Sequence, residues 1–305
     1  MTLDAVNQRV STVIPTFNRK SDVVVAVRTA LAQTYHDQEI IVVNDGSSDG
    51  TRETLIGEYG ERLTILRTER LGVSGARNHG MAAAQGDYIA LLDSDDEWLP
   101  GKLAAQVRFL EDRPDFGMVV TDVVQMDNQR QAHGVLRRRD AIPEDGDVLT
   151  YVIRQPALAP SSALFRRAVL DDVGSFDTGL PTAEDIDFHL RVALRWKIGV
   201  ISEPLTRAMR GHDGLSSLPR TYSDYLAVME RFIENHEEIP MQHRRAGLHA
   251  AALRNLRGLL VSGHVGPAIS VGARAATRAR TFGDVLDLVR MAPLAARAVV
   301  RKALR

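Results

Sequence analysis

The sequence has no cysteine and few aromatic residues. The absence of cysteine excludes disulfides, thiolate zinc sites and cysteine nucleophiles. Any bound metal must then be held by oxygen or imidazole ligands, which favours Mg²⁺ or Mn²⁺. Aromatic residues make up only 5% of the chain, too few for the stacking surfaces that bind single-stranded nucleic acid. We therefore expect no nucleic-acid partner.

Long apolar runs are also missing. The most apolar stretch, residues 258–273, contains His264, Pro267 and several glycines, so we do not expect it to span a bilayer. The first fifteen residues lack the basic region, apolar core and small-residue cleavage site of a secretion signal. The sequence therefore predicts a cytoplasmic location.

Charge is balanced overall but unevenly distributed. The net charge is −1, yet residues 244–305 hold 12 Lys and Arg residues against Asp284 and Asp287, a local charge of +10. This basic tail has the composition of helices. It could pack as ordinary helices with solvated arginines, or it could lie on an anionic membrane surface. The sequence leaves both readings open.

The first third of the chain alternates short β-branched runs with helical stretches, which is typical of a parallel sheet covered by helices. Strands are predicted at 10–15, 39–45, 63–66 and 87–93, and helices at 21–33, 50–58 and 75–85. Further, less regular strands are predicted at 116–139 and 198–209.

Beyond residue 216 the pattern is helical, with breaks near Pro240, Pro267 and Pro293. The predicted fold class is α/β: a Rossmann-like, mixed but mostly parallel sheet flanked by helices, with a C-terminal helical extension. We predict one domain over residues 1–216 and a helical, basic region over residues 217–305.

Polar clusters follow three of the predicted strands: "TFNR", "NDGSSDGT" and "DSDD". In open α/β sheets, ligands bind at the carboxyl ends of the strands. We expect these three loops to meet at one crevice.

The "NDGSSDGT" stretch begins like a calcium loop, but Ile56 stands where a bidentate Glu is required, so that interpretation fails. A tight turn followed by a helix cap remains one explanation. The other is that Asp45, at the end of a strand, accepts the N3 hydrogen of a uracil or thymine ring.

Two further acidic clusters allow two readings each. Asp93 and Asp95 of "DSDD" could form a solvated turn, or they could bind a divalent cation that carries a diphosphate. Glu184 and Asp185 of "AEDIDFHLR" stand where a helix begins, so the helix dipole could explain them. They could also face a cleft, where a general base belongs.

His212, between two glycines, is either structural or a metal ligand.

Together these stretches resemble glycosyltransferase family 2, the inverting sugar-nucleotide transferases with the GT-A fold. The resemblance covers residues 10 to about 216, and the motifs keep their order and spacing. They are "IPTFNR" (14–19), "IIVVNDGSSDGT" (40–51), "GVSGARNHG" (72–80), "GDYIALLDSDDEW" (86–98) and "GSFDTGLPTAEDIDFHLR" (174–191).

The resemblance implies a role for each matching residue. It implies that Asp45 binds the base, that Arg77 lies near the nucleotide or its phosphates, and that Asp93 approaches the ribose or donor sugar. The nucleotide-binding set is Pro15, Thr16, Arg19, Asp45, Arg77, Asp93 and Ser94.

The resemblance also implies a metal site and a catalytic pair. Asp95 and His212 are expected to ligate Mg²⁺ or Mn²⁺. Asp185 is expected to act as the catalytic base, with Glu184 beside it in contact with acceptor or donor.

The implied activity is inverting transfer of a sugar from a nucleoside-diphosphate sugar, UDP- or dTDP-linked, to a hydroxyl of a saccharide or lipid-linked acceptor. Cell-envelope or surface polysaccharide synthesis is the expected setting, with peripheral contact to the inner face of the membrane. One alternative is a sugar nucleotidyltransferase, although "PTFNRKS" lacks the glycines of its phosphate loop. The other is an inactive sugar-nucleotide-binding protein, against which the intact acidic motifs argue.

Overall fold

A computed structural model describes residues 9–136, 148–154, 158–209, 218, 220–278, 285 and 288–303. They divide into two compact units. The sheet unit comprises the described residues within Met1–Val148, Leu158–Gly179 and Arg191–His212. The helical unit comprises those within Leu149–Ala157, Leu180–Leu190 and Asp213–Arg305. The predicted boundary between residues 216 and 217 lies outside the described residues and stays a prediction.

Within the described residues, the sheet unit contains one mixed sheet. Its strands are β1 (Val10–Thr16), β2 (Gln38–Asn44), β3 (Thr64–Arg67), β4 (Tyr88–Leu91), β5 (Glu97–Trp98), β6 (Phe116–Met126), β7 (Ala132–Leu136), β8 (Ala163–Arg166) and β9 (Lys197–Met209). Their order is β3-β2-β1-β4-β8-β6-β9-β5, with β7 paired to β6. The first four strands pair in parallel, whereas β8 runs antiparallel to β4 and β6. This confirms the predicted mixed sheet.

The helices follow the predicted alternation. In the sheet unit they are α1 (Lys20–Leu31), α2 (Thr51–Tyr59), α3 (Gly72–Ala83), α4 (Lys102–Glu111) and α6 (Arg167–Val173). In the helical unit they are α5 (Leu149–Arg154), α8 (Arg220–Asn235), α9 (Met241–Val261), α10 (Val265–Arg278) and α11 (Ala292–Ala303). Helix α7 (Glu184–Arg195) begins in the helical unit and ends in the sheet unit.

Three prolines mark the helix boundaries of the C-terminal region. Pro240 immediately precedes α9, as the predicted break requires. Pro267 and Pro293 instead lie within the first turns of α10 and α11. The first turn tolerates proline because its N–H groups have no partner within the helix. Each break therefore comes just before its proline.

The apolar core of the sheet unit lies between the strands and helices α1 and α4. Buried Val23, Ala26, Val27 and Ala30 recur along α1 with helical spacing and form one face. This face packs with residues of β1, β2 and β4. The parallel strands are therefore held in place by their packing against α1.

The C-terminal helices have a small core of their own. Leu256, Leu259 and Leu260 of α9 pack with Ala268 of α10 and Ala298 of α11. The basic tail therefore uses part of its apolar surface for ordinary helix packing, the first of the two readings that the sequence allowed.

No helix among the described residues has the length and apolar content needed to cross a bilayer.

Gly80 brings α3 unusually close to the sheet. A Cβ atom at this position would lie 2.5 Å from Val13 Cγ1 and 3.0 Å from Val43 Cγ2. A methyl group would therefore collide with both β1 and β2. The close approach fixes α3, which contains Arg77 in the turn before Gly80.

We predict that Gly80→Ala destabilises the chain by about 1–3 kcal/mol, because the added methyl overpacks the interface between α3 and the sheet. Gly57→Ala is the matched control, since nothing lies within 4 Å of its added Cβ. There the better helix propensity of alanine should stabilise α2 by up to about 1 kcal/mol. Urea unfolding measures both, and equal stability of the two variants would contradict the prediction.

Candidate functional site

Hydrogen bonds join the loops after β1 and β2. The Asn18 side chain accepts a bond from the backbone N–H of Ser48 (2.9 Å), and the backbone N–H of Asn18 donates to Ser47 Oγ (2.9 Å). The N–H of Lys20 donates to Asp49 Oδ2 (2.9 Å). Asn18 has a φ of +49°, a left-handed conformation that asparagine tolerates. "TFNR" and "NDGSSDGT" therefore form one continuous edge, as predicted.

Asp45 caps a helix that is distant in sequence. Its Oδ1 accepts bonds from Thr68 Oγ1 (2.7 Å) and the N–H of Leu71 (2.7 Å), and its Oδ2 accepts one from the N–H of Gly72 (2.9 Å). Because of these bonds α3 begins at residue 72, three residues before the predicted start. An ionised carboxylate has about four acceptor positions, so one remains after these three bonds. The base-binding role of Asp45 stays a prediction.

Pro15 and Thr16 are the last residues of β1, and both are buried. Thr16 is joined to the next loop because its carbonyl accepts the N–H of Asp45 (2.9 Å). Both residues therefore lie at the edge where a nucleotide is expected.

The Asp93 carboxylate is paired with Arg77. Arg77 Nη2 donates to Asp93 Oδ1 at 2.6 Å, and the guanidinium carbon lies 5.3 Å from the centre of the Phe176 ring. The neighbouring Asn78 exchanges two hydrogen bonds with the Phe176 backbone, at 2.8 and 3.0 Å. Sequence reasoning missed Asn78 and Phe176, because nothing in the local pattern joins residues 98 positions apart.

The Asp95 carboxylate forms an ion pair with the Arg19 side chain. Arg19 Nη1 donates to Asp95 Oδ2 at 2.9 Å and lies 3.9 Å from Asp22. The sequence placed Arg19 at the nucleotide and Asp95 at a metal. The structure brings these two predicted residues together.

Asp96 is a buried structural carboxylate. Its Oδ2 accepts a bond from Ser161 Oγ (2.6 Å), and its Oδ1 accepts the N–H of Met209 (2.9 Å). Ser161 Oγ also accepts the N–H of Asp93 (3.0 Å). Burial, together with the negative charges of Asp93 and Asp95, raises the pKa of Asp96 to about 8. Ser94, in the same turn, is buried as well.

Glu97 completes the acidic run. Arg130 pairs with both Glu97 and Asp22, and Arg207 lies 3.4 Å from Glu97. Sequence reasoning also missed Arg130, which lies in the loop between β6 and β7. The turn at residues 93–97 is therefore surrounded by partners from five other parts of the sheet unit.

In the helical unit, Glu184 and Asp185 are the first residues of α7. Asp185 Oδ1 accepts the N–H of Ile186 (2.9 Å), and the preceding Ala183 has a φ of +63°. The unit thus presents the two predicted catalytic acids after a left-handed residue. Their roles stay predictions, and His212 lies outside the described residues.

Among the described residues, no group of three or more His, Asp or Glu side chains is arranged to hold a metal ion. Of the predicted pair of ligands, His212 lies outside these residues. Asp95 is the predicted ligand whose surroundings the structure describes.

The sequence of the sheet unit decides the family. Residues 11–174 match the profile described as "Glycosyl transferase family 2". The chain belongs to glycosyltransferase family 2. The glycosyltransferase match ends before α7, so it covers the sheet-edge residues of the site and not Glu184 or Asp185.

Several curated proteins are similar to this family 2 chain. An uncharacterized glycosyltransferase of Rickettsia bellii is 27% identical over 229 residues, which is 74% of this chain and 32% of that protein. Escherichia coli WfaP, named as a UDP-Glc:alpha-D-GlcNAc-diphosphoundecaprenol beta-1,3-glucosyltransferase, is 38% identical over 103 residues, 33% of this chain and 41% of WfaP.

A third relative is Bacillus subtilis TuaG, named as a putative teichuronic acid biosynthesis glycosyltransferase. It is 37% identical over 107 residues, 34% of this chain and 42% of TuaG. The chain spans 31% to 58% of the length of these and other curated relatives that it matches.

Solved structures show the same fold. Staphylococcus aureus TarS residues 1–349, in complex with UDP-GlcNAc, gives a TM-score of 0.70 at 20% identity, over 96% of this chain and 87% of that one. The mannosyltransferase PcManGT of Pyrobaculum calidifontis, in complex with GDP-Man and Mn²⁺, gives 0.63 at 21% identity, over 96% and 86%. These similarities confirm the GT-A fold.

Proposed function

We propose that this family 2 chain is an inverting glycosyltransferase that moves a sugar from a UDP- or dTDP-linked donor to an acceptor hydroxyl. One observation carries the proposal: a single hydrogen-bonded edge at the ends of β1, β2 and β4 joins Arg19, Asp45, Arg77, Asp93 and Asp95. Backbone N–H groups, carboxylates and guanidinium groups converge there, as binding of a sugar diphosphate requires.

The relatives' names support the substrate class. WfaP is named for UDP-Glc and for an acceptor on diphosphoundecaprenol, and TuaG for teichuronic acid synthesis. We propose the same general setting for this chain: a UDP-type donor, a saccharide or lipid-linked acceptor, and cell-envelope or surface polysaccharide as product.

The residues at the edge fit a divalent cation in part. The Asp95 carboxylate supplies the kind of oxygen ligand that Mg²⁺ and Mn²⁺ prefer. The Arg19 guanidinium lies 2.9 Å from this carboxylate, so Asp95 is already paired with a positive charge. Asp95 and, by resemblance, His212 would hold Mg²⁺ or Mn²⁺. Such an ion would supply charge stabilisation for the departing nucleoside diphosphate.

The chain's own acids would perform the proton transfer. Asp185 takes the proton from the acceptor hydroxyl, and the hydroxyl oxygen attacks the anomeric carbon from the face opposite the diphosphate. The configuration inverts in this one displacement. Glu184 contacts the acceptor or donor beside it. These roles rest on the order of the family's motifs.

Two other activities would leave different products. A sugar nucleotidyltransferase would release pyrophosphate when it makes a nucleotide sugar, whereas a glycosyltransferase releases a nucleoside diphosphate. An inactive nucleotide-sugar-binding protein would release neither. Incubation with UTP or dTTP and a sugar 1-phosphate tests for release of pyrophosphate. Incubation with UDP-glucose, UDP-GlcNAc and dTDP-glucose tests for release of a nucleoside diphosphate, so the two assays together separate the three.

We also propose that the helical unit contacts anionic lipid at the inner face of the membrane. Val261, Ile269, Val285 and Val289 remain at least half exposed although neighbouring apolar residues pack inward. They belong to the tail whose net charge is +10. Apolar side chains among basic ones are the pattern of an interfacial helix.

We predict that Asp185→Asn lowers turnover by about 10²- to 10⁴-fold, the usual contribution of a general base, and leaves the dissociation constant for UDP unchanged. UDP release and calorimetric UDP binding measure the two quantities. Glu61→Gln, an exposed change in the turn after α2, is the control. Wild-type turnover in Asp185→Asn would show that another group is the base.

We predict that Asp95→Ala abolishes the part of donor affinity that depends on Mn²⁺, because a carboxylate ligand is lost. Calorimetry with UDP-GlcNAc, with and without Mn²⁺ or excess chelator, measures this. Asp112→Ala at the end of α4 is the control. Full affinity of the unaltered chain in chelator would refute metal dependence.

We predict that the chain floats with vesicles containing phosphatidylglycerol and not with pure phosphatidylcholine, since each basic residue near an anionic surface contributes about 1 kcal/mol. Ile269→Asp should weaken this binding several-fold, because Ile269 is 69% exposed in the helical unit. Ile56→Asp, on exposed Ile56 of α2, should not. Equal recovery with both lipids would exclude the membrane proposal.

A further inference from the structure

Helix α8 holds the residues on either side of Glu184 and Asp185. Thr182 Oγ1 donates to Asp224 Oδ2 at 2.7 Å, and Arg231 Nη2 donates to Asp187 Oδ1 at 2.7 Å. Thr182 precedes the acidic pair and Asp187 follows it. All of these residues belong to the helical unit.

The two attachment points lie along one face of α8. Asp224 and Arg231 are seven residues apart, which is two helical turns and about 10 Å along the axis. Two attachments that far apart fix the orientation of the held segment as well as its position.

Helix α8 is itself fixed within the helical unit. Tyr225, Met229 and Phe232 are buried along it. Gly258 of α9 lies against the Tyr222 ring, where a Cβ would come within 2.3 Å of ring carbons. A shift of α8 along its axis would break this contact, so the positions of Asp224 and Arg231 are fixed within the helical unit.

The held segment is strained. Ala183 has a φ of +63°, a left-handed conformation that is strained for a non-glycine residue. Such a conformation persists when its neighbours are fixed on both sides. Thr182 and Asp187 are those neighbours, and both are attached to α8.

Charge gives Arg231 a second effect. Acids at the start of α7 repel one another, and the Asp187 carboxylate is only 9% exposed. The Arg231 guanidinium compensates its charge, so less repulsion acts on the neighbouring Asp185.

We propose that Asp224 and Arg231 are positioning residues that set the orientation of Glu184 and Asp185, so that α8 is part of the catalytic apparatus. This rests on the proposed role of Asp185 as general base. The family profile ends at residue 174, so none of the four anchoring residues lies within it.

The principal test is Arg231→Met, which removes the charge and keeps much of the side-chain stem. Turnover is measured as nucleoside diphosphate released from UDP-glucose, UDP-GlcNAc and dTDP-glucose. We expect kcat to fall at least about tenfold with KM for the donor nearly unchanged, because misorientation of a base affects the chemical step. Arg231→Lys should recover part of the loss.

The matched control is Arg108→Met. Arg108 is 85% exposed and pairs with Asp112 across one helical turn at 4.0 Å, so the same change there removes an exposed ion pair. Turnover and melting temperature should both match those of the unaltered chain.

A double variant tests the route of the effect. If Arg231 acts through Asp187, then Arg231→Met combined with Asp187→Asn should reduce kcat no further than the more damaging single change. Asp224→Asn tests the other attachment and keeps the side-chain size. Additive losses for Arg231 and Asp187 would overturn the proposed route.

Amide hydrogen exchange gives a readout that needs no turnover. In Arg231→Met, exchange over residues 182–190 should quicken while β1 and β2 keep their protection. Unchanged exchange there, or unchanged kcat while Asp185→Asn is inactive, overturns the inference and leaves the proposed function intact. Retained turnover in Asp185→Asn, with faster exchange in Arg231→Met, would instead mean that the proposed base is wrong.

Discussion

Four acidic side chains within five residues must each either bind a compensating partner or give up their charge, and the sheet unit is organised around that constraint. Asp93 has Arg77, Asp95 has Arg19, and Glu97 has Arg130. Asp96 depends on a hydroxyl and a backbone N–H. Because the partners come from α3, the loop after β1, the loop after β6, the segment before β8 and the end of β9, the turn depends on the assembly of all these elements. Repulsion in one short turn therefore ties together distant parts of the chain.

The position of α3 depends on contacts that involve no ion pair. Gly80 lets α3 approach the sheet, and Asp45 determines where that helix begins. Arg77 can reach Asp93 because both conditions hold. Packing thus sets this edge of the sheet, and the charged side chains are then within hydrogen-bonding distance of one another.

Sequence reasoning predicted the alternating strands and helices because periodicity and turn residues are local signals. It also singled out Arg19, Asp45, Arg77 and Asp95 from the family motifs, and the structure places them at one edge of the sheet unit, while their roles stay predictions. It could not find Ser161, which meets Asp96 across 65 positions. Nor could it foresee that the carboxylate of Asp45 would start α3 three residues early. Both depend on tertiary contacts, which composition and spacing do not encode.

Ser161 has a consequence for protein engineering. Its hydroxyl accepts from the backbone of Asp93 and donates to Asp96, so it joins the two ends of the acidic turn from another part of the chain. The stretch "DSDDEW" is therefore not a portable module. Transplanted alone onto a different scaffold, it would bring a buried acid without its hydroxyl partner, and any graft would need the residue equivalent to Ser161 as well.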